Sequence, residues 1–148
     1  MGDINIDQAE ADALLALEKV AADSKSYTVL SPGARTSIPL LSADKRERFH
    51  MDTSRSALLL SKVKLQSRAR TAVVLARLDL DGAPHQNPDG QIVQCPHLHL
   101  YREGYADKWA EAPPPEHFAH LHDLWETLQD FMAFTNVSEP PSIVRGIF

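Results

Sequence analysis

The sequence predicts a single α+β domain over residues 1–148, an antiparallel sheet of about four to five strands flanked by an N-terminal and a C-terminal helix. Three observations predict it. Apolar residues recur at helical spacing near both ends, two-residue alternation fills the middle, and turn signals built from Asp, Asn, Pro and Gly separate the segments. With 148 residues, 43% hydrophobic and 24% charged, the chain is sized for one core and too apolar for a disordered protein.

Asp7-Gln8-Ala9-Glu10 reads as a capping box, and behind it Ala13, Leu14, Leu17, Val20 and Ala21 form a stripe that predicts a helix ending near Asp23. Residues 26–42 predict irregular edge structure. Tyr27 to Leu30 suits a short strand, Ser31-Pro32-Gly33-Ala34 a turn, and Pro39 argues against a regular central strand. A polar strand is expected from Arg46 to Asp52. From Leu58 to Arg68 the alternation sets Leu59, Ser61, Val63 and Leu65 against Lys62, Lys64, Gln66 and Arg68. In the next strand Val74, Ala76, Leu78 and Leu80 would face the core, with Val73, Leu75, Arg77 and Asp79 opposite, giving a sheet with a solvated cationic face.

Asp81-Gly82-Ala83-Pro84 and Asn87-Pro88-Asp89-Gly90 then bracket His85 in a loop, and Pro96 to Tyr101 returns to the sheet. After Pro113-Pro114-Pro115 a helix is predicted from Glu116 to Phe134, with Phe118, Leu121, Trp125, Leu128 and Met132 on its buried stripe. Ser142 to Phe148 is an apolar tail expected to dock.

Composition narrows the function classes. Apolar runs such as Ala57–Leu60 and Ala72–Ala76 fall far short of the ~20 residues that cross a bilayer, so no membrane partner is expected. The acidic N-terminus has no secretory signature, and the only cysteine, Cys95, forms no internal disulfide; a cytoplasmic location is expected. A net charge of −5 argues against an extended basic nucleic-acid surface. The charge is uneven, however. From Lys45 to Arg77 nine residues are basic and only Glu47 and Asp52 are acidic, which leaves room for a local basic patch.

Residues two apart on a strand share a face, so His97, His99 and Tyr101 should project together with Leu98 and Leu100 beneath. If that strand pairs with the one before the loop, Arg77 and Asp79 emerge beside the imidazoles and the loop brings His85. Such a set suits acid–base cleavage of a phosphodiester without a cofactor. His85, His97, His99 and Tyr101 would be the catalytic candidates, and Arg77, Lys108 and Arg102 the phosphate binders. It also suits a divalent transition metal such as zinc on His97, His99, His85 and Asp79, with Glu103 as a further candidate. His97-Leu98-His99 followed by Glu103 resembles half of the cupin metal motif, whose second half has no counterpart in the chain. A third reading makes the histidine pair a plain solvated surface. His117, His120 and His122 are expected on a solvated helix face, Cys95 as a small packed residue, and Tyr105 and Trp109 as packing or a stacking platform.

The block Gly82-Ala83-Pro84-His85-Gln86-Asn87-Pro88-Asp89-Gly90, followed by Cys95-Pro96-His97-Leu98-His99-Leu100-Tyr101-Arg102-Glu103-Gly104-Tyr105-Ala106-Asp107-Lys108-Trp109-Ala110, resembles a family of small uncharacterised proteins from bacteria and their phages or prophages. The ending, from Phe131-Met132-Ala133-Phe134 through Pro140-Pro141 to Gly146-Ile147-Phe148, is similar too, and the Pro-His-x-His strand resembles small proteins of toxin–antitoxin operons. The resemblance implies mobile-element biology. The function expected first is therefore a toxin-like protein acting on RNA or another phosphodiester. The alternatives are a non-enzymatic inhibitor, an anti-defence protein or antitoxin that binds a host or phage protein, and a His-ligated metal enzyme.

Overall fold

A computed structural model describes residues 5–146. In chain order its elements are α1 (Gln8–Ala16), β1 (Lys19–Ala21), β2 (Ser26–Val29), β3 (Arg35–Ser42), β4 (Arg48–Arg55), β5 (Val63–Ala69), β6 (Val73–Asp79) and β7 (His85–Gln86). They continue as β8 (Ile92–Val93), β9 (His97–Leu100), β10 (Ala110–Glu111), α2 (Leu124–Phe134), β11 (Val137–Glu139) and β12 (Ser142–Arg145). An eight-stranded sheet runs in the order β10-β9-β6-β5-β4-β3-β1-β11, antiparallel except where β1 meets β11. The class is α+β as expected, but the sheet is wider. The added strands β1, β10 and β11 are two or three residues long, too short to show a period.

β3 to β6 form a meander whose register sorts the side chains. Ile38, Met51 and Ser67 stand opposite one another on one face, as do Leu65, Leu78 and Leu98, and Leu14 of α1 with Leu128, Phe131 and Met132 of α2 joins this core. Burying such a leucine completely is worth about 1.5–3 kcal/mol. The other face carries the polar partners. One cross-strand row reads Arg35, Ser54, Lys64, Asp79, His97, and the next Ser37, Asp52, Gln66, Arg77, His99.

Several expectations change for local reasons. α1 stops at Ala16, not near Asp23, because Val20 and Ala21 are taken into β1 against β3. Its N-cap is as read, with the Asp7 carboxylate accepting from Glu10 N–H at 2.8 Å; Glu10 itself reaches away to Arg70. Pro39 lies inside β3, where its carbonyl accepts from Ala22 just beyond the β1 ladder. Its missing N–H therefore falls on the side where β1 has ended. β5 begins at Val63, so Leu58, Leu59 and Leu60 form an exposed turn, Leu58 being 99% accessible. A bulge between Ser67 and Arg68 shifts the register, burying Val73 and Leu75 and turning Val74 outward. α2 begins at Leu124, capped by Asp123, whose carboxylate accepts from Glu126 N–H; Phe118 and Leu121 reach the core from the preceding turns. The tail docks as β12, parallel to β2, while Ile147 and Phe148 lie outside the described residues.

A lysine anchors the helical side of the core. Lys19 is fully buried, its ammonium donating to the carbonyls of Leu15, Leu17 and Thr135 at 2.9, 2.9 and 2.7 Å and lying 4.7 Å from the centre of the Phe49 ring. Burial pushes this ammonium down to about 8.

Among the described residues no helix is long and apolar enough to cross a membrane.

Candidate functional site

The polar face is open over β3 to β5 and covered over β6 and β9. Antiparallel pairing sets Asp79 opposite His97 and Arg77 opposite His99, so four functional side chains leave two strands on one side. Leu98 points into the core between the histidines, as the alternation requires. Both imidazoles are buried, His97 at 2% and His99 at 1% accessibility, which overturns the expectation of a solvated pair.

The proton positions follow from the partners. His99 Nδ1 lies 2.7 Å from the Asp107 carbonyl, which can only accept, so Nδ1 carries the proton. Nε2 lies 3.1 Å from Arg77 Nη2 and 3.5 Å from Asp79 Oδ2, so it accepts from the guanidinium when unprotonated and donates toward the carboxylate when protonated. His97 Nε2 lies 3.1 Å from the same Asp79 Oδ2, and its Nδ1 is 3.6 Å from Cys95 Sγ. Arg77 binds Asp79 Oδ1 at 3.1 Å through Nε and Asp107 Oδ2 at 2.8 Å through Nη1, leaving Asp79 Oδ2 to the histidines. Burial raises the Asp79 carboxyl, but the facing His99 and the charges of Arg77 and Lys64 outweigh it and hold the group at about 2. The Cys95 thiol is pushed up, first by burial and then by Asp79 and Asp81, which disfavours the thiolate.

The loop does deliver His85. β7 and β8 form a small hairpin around the Asn87–Gly90 turn, where Gly90 takes φ 91°. Asn87 clamps it to the edge strand: its side chain donates to the Ala110 carbonyl at 3.0 Å and accepts from the Ala110 N–H at 2.8 Å. His85 Nε2 sits 2.6 Å from the Lys108 carbonyl, and its ring centre is 4.6 Å from that of His99 and 5.9 Å from that of His97.

His97 Nε2 and His99 Nε2 thus converge on Asp79 Oδ2, and the three residues each offer one ligand atom within 4.8 Å of the others. Two donors bound ~2.0–2.1 Å from one tetrahedral metal stand roughly 3.3 Å apart, a value bracketed by the 3.1 and 3.5 Å separations here. The His99 Nδ1–H held by Asp107 is the outer hydrogen bond that fixes a ligating imidazole.

This cluster lies within a stretch, residues 6–137, that matches one family model. The chain belongs to DUF6978, a family of unknown function. The DUF6978 match takes in both helices and the whole meander and leaves out β12. No curated protein and no solved structure matches the chain.

Other sequence candidates lie elsewhere. β9 ends at Leu100, and Tyr101 lines a recess with Leu98 and Leu100, its hydroxyl donating to the Ile6 carbonyl at 2.7 Å and accepting from the Ile6 N–H at 2.8 Å. It anchors the N-terminal segment and does not share the imidazole face. Arg102 lines the same recess and stacks 4.0 Å over Trp109; Glu103 accepts from the Gln8 N–H at the start of α1. Lys108 serves the cluster through its carbonyl, with its side chain exposed. His117, His120 and His122 are exposed as expected, though on turns ahead of α2, with His120 paired to Asp130 at 3.0 Å. The residues that sequence reasoning passed over are Asp107, and Asn87 as more than a turn former. Both act through loop contacts that no periodicity encodes.

Proposed function

We propose that the protein is a metal-dependent hydrolase of phosphodiesters, with a divalent transition metal such as zinc held by Asp79, His97 and His99. The convergence of His97 Nε2, His99 Nε2 and Asp79 Oδ2 carries this reading. Two buried rings cannot touch a bulky substrate directly, but they can present a metal to it. To take the metal, His97 moves its proton from Nε2 to Nδ1, facing Cys95 Sγ, and Arg77 gives up only its contact to His99 while keeping Asp79 Oδ1 and Asp107. The freed Nη2 is then available to a phosphate oxygen. A metal here would polarise the phosphate and activate a water, with His85 above the cluster as proton carrier.

One contact favours a second reading. Arg77 Nη2 already satisfies the His99 lone pair, so the cluster is also complete as a metal-free network in which Arg77 binds phosphate and the half-buried His85 does acid–base work on RNA.

Protein purified without chelator should carry close to one metal per chain, and metal at a thousandfold excess over Kd should raise the unfolding free energy by about 4 kcal/mol. His97→Ala and Asp79→Asn should lose both effects, together with hydrolysis of a chromogenic phosphodiester. Absence of saturable binding of zinc, iron, nickel and manganese would overturn the metal centre. Cleavage that persists in chelator and disappears in His85→Ala would establish the second reading in its place.

A further inference from the structure

Beside the cluster the polar face opens into an unroofed recess of about 440 Å³, lined among others by Arg35, Ser37, Ser54, Lys64, Gln66 and Arg77. It shares Arg35, Ser54 and Lys64 with a second recess of about 360 Å³, which adds Lys62 and Arg55 toward the leucine turn. The two make one trough. Crossing from β3 to β9 takes four strand spacings, roughly 19 Å, and ends at Asp79 and His97.

Its charge is one-sided. Asp52, the acid in the lining, is already neutralised: Arg68 donates to both of its oxygens at 2.9 and 3.0 Å, Ser37 and Gln66 each add a hydrogen bond, and Arg68 chiefly, after burial's opposing push, holds its carboxyl low. Arg35, Lys62 and Lys64 are exposed and, among the described residues, make no ion-pair contact, Lys64 acting on the facing Asp79 only through its charge. Apart from Gly33 and Ala57 at the leucine-turn end, the remaining uncharged lining is hydroxyl and amide, donors that suit phosphate oxygens, and it holds no aromatic ring on which a base could stack. A single phosphate would use one end of such a trough. Only a ligand with consecutive phosphates uses its length.

We infer that this trough binds the phosphate backbone of a nucleic-acid strand, independent of base sequence, and leads it across β5 and β6 to Arg77 and the Asp79–His97–His99 cluster. That the strand is the substrate rests on the hydrolase reading above; that the trough binds it does not, since none of the trough's exposed cations is a metal ligand.

The test uses the full chain treated with chelator, so that metal occupancy cannot decide it. Fluorescence anisotropy with a labelled single-stranded RNA of about a dozen nucleotides should show binding whose log affinity falls with log salt by ~0.7 per phosphate contacted. The Arg35→Ala/Lys64→Ala double variant should weaken binding at least about tenfold and flatten the salt slope by roughly one to two contacts. Arg46→Ala/Arg48→Ala removes two exposed cations outside the trough and should leave binding within about twofold. RNA binding by a wild type that takes up no metal would sink the hydrolase reading and leave this inference standing, which separates the two. A parallel arm with duplex RNA of the same length tells whether one strand suffices. Absence of RNA binding, equal losses in the two double variants, or displacement of RNA by a mononucleotide at equal phosphate concentration would each overturn the strand trough.

Discussion

Lys19 and Asp79 are both buried charges, on opposite faces of the same sheet, and they are satisfied in different currencies. Lys19 spends its ammonium protons on three backbone carbonyls at the ends of α1 and α2. Those acceptors are fixed by the fold and have no second state. Asp79 is met by side chains, two imidazoles and a guanidinium, each able to exchange a proton or a partner. Burial works against both charges, driving Lys19 down to about 8, whereas the neighbours of Asp79 reverse its effect and hold the carboxylate ionised. The first site closes the structure. The second holds a negative charge where a cation or a proton can answer it, a pattern that marks functional clusters more often than structural ones.

The contrast can be broken experimentally. The largest effect should come from Lys19→Met, which keeps the volume but leaves the buried Thr135 carbonyl and the part-buried Leu15 and Leu17 carbonyls without this donor, a loss of about 3 kcal/mol. Urea unfolding measures it, and a loss below about 1 kcal/mol would mean that the carbonyls find other donors.

Asp79 should reveal itself through pH. Its folded-state carboxyl lies at about 2 against an ordinary 3.8, so its ionised form contributes stability that is fully present above pH 3.8 and lost as pH falls toward 2. The wild type should lose roughly 2 kcal/mol across that window beyond what Asp79→Asn loses. Identical acid limbs for the two proteins would show that the cluster does not favour the charge.

Asn87→Ala should give the smallest change in stability, about 1–2 kcal/mol, because it removes two hydrogen bonds at the sheet edge. It should also loosen the His85 hairpin, seen as faster hydrogen exchange at the Ala110 amide. Unchanged protection there would show that the hairpin is held by other contacts.

The cluster was more legible than the fold around it. Alternation alone placed His97 and His99 on one face, and the pairing of flanking strands brought Arg77 and Asp79 to them, because period two survives whatever surrounds a strand. Tyr101 breaks the pattern for a simple reason: the strand ends one residue earlier, and alternation has no meaning past its end. Val20 and Leu59 misled in opposite ways. Val20 fits a helical stripe but is claimed by strand pairing, and Leu59 fits an alternating strand but falls in a turn. The bulge at Ser67 and Arg68, and the loop carbonyls of Asp107 and Lys108, arise from tertiary register and leave no trace in residue type.

Trp109 directly follows the two carbonyls that hold His99 and His85, and its ring lies under the Arg102 guanidinium and edge-on to Tyr105. The chain has two tryptophans, so replacing Trp125 by phenylalanine leaves a single indole, in the recess on the other side of the segment whose carbonyls hold the cluster. Indole emission is quenched and shifted by nearby charge and by changes in polarity. The molecule therefore carries its own optical probe, one that reports without any label when the 107–109 segment shifts against Arg102 and Tyr105.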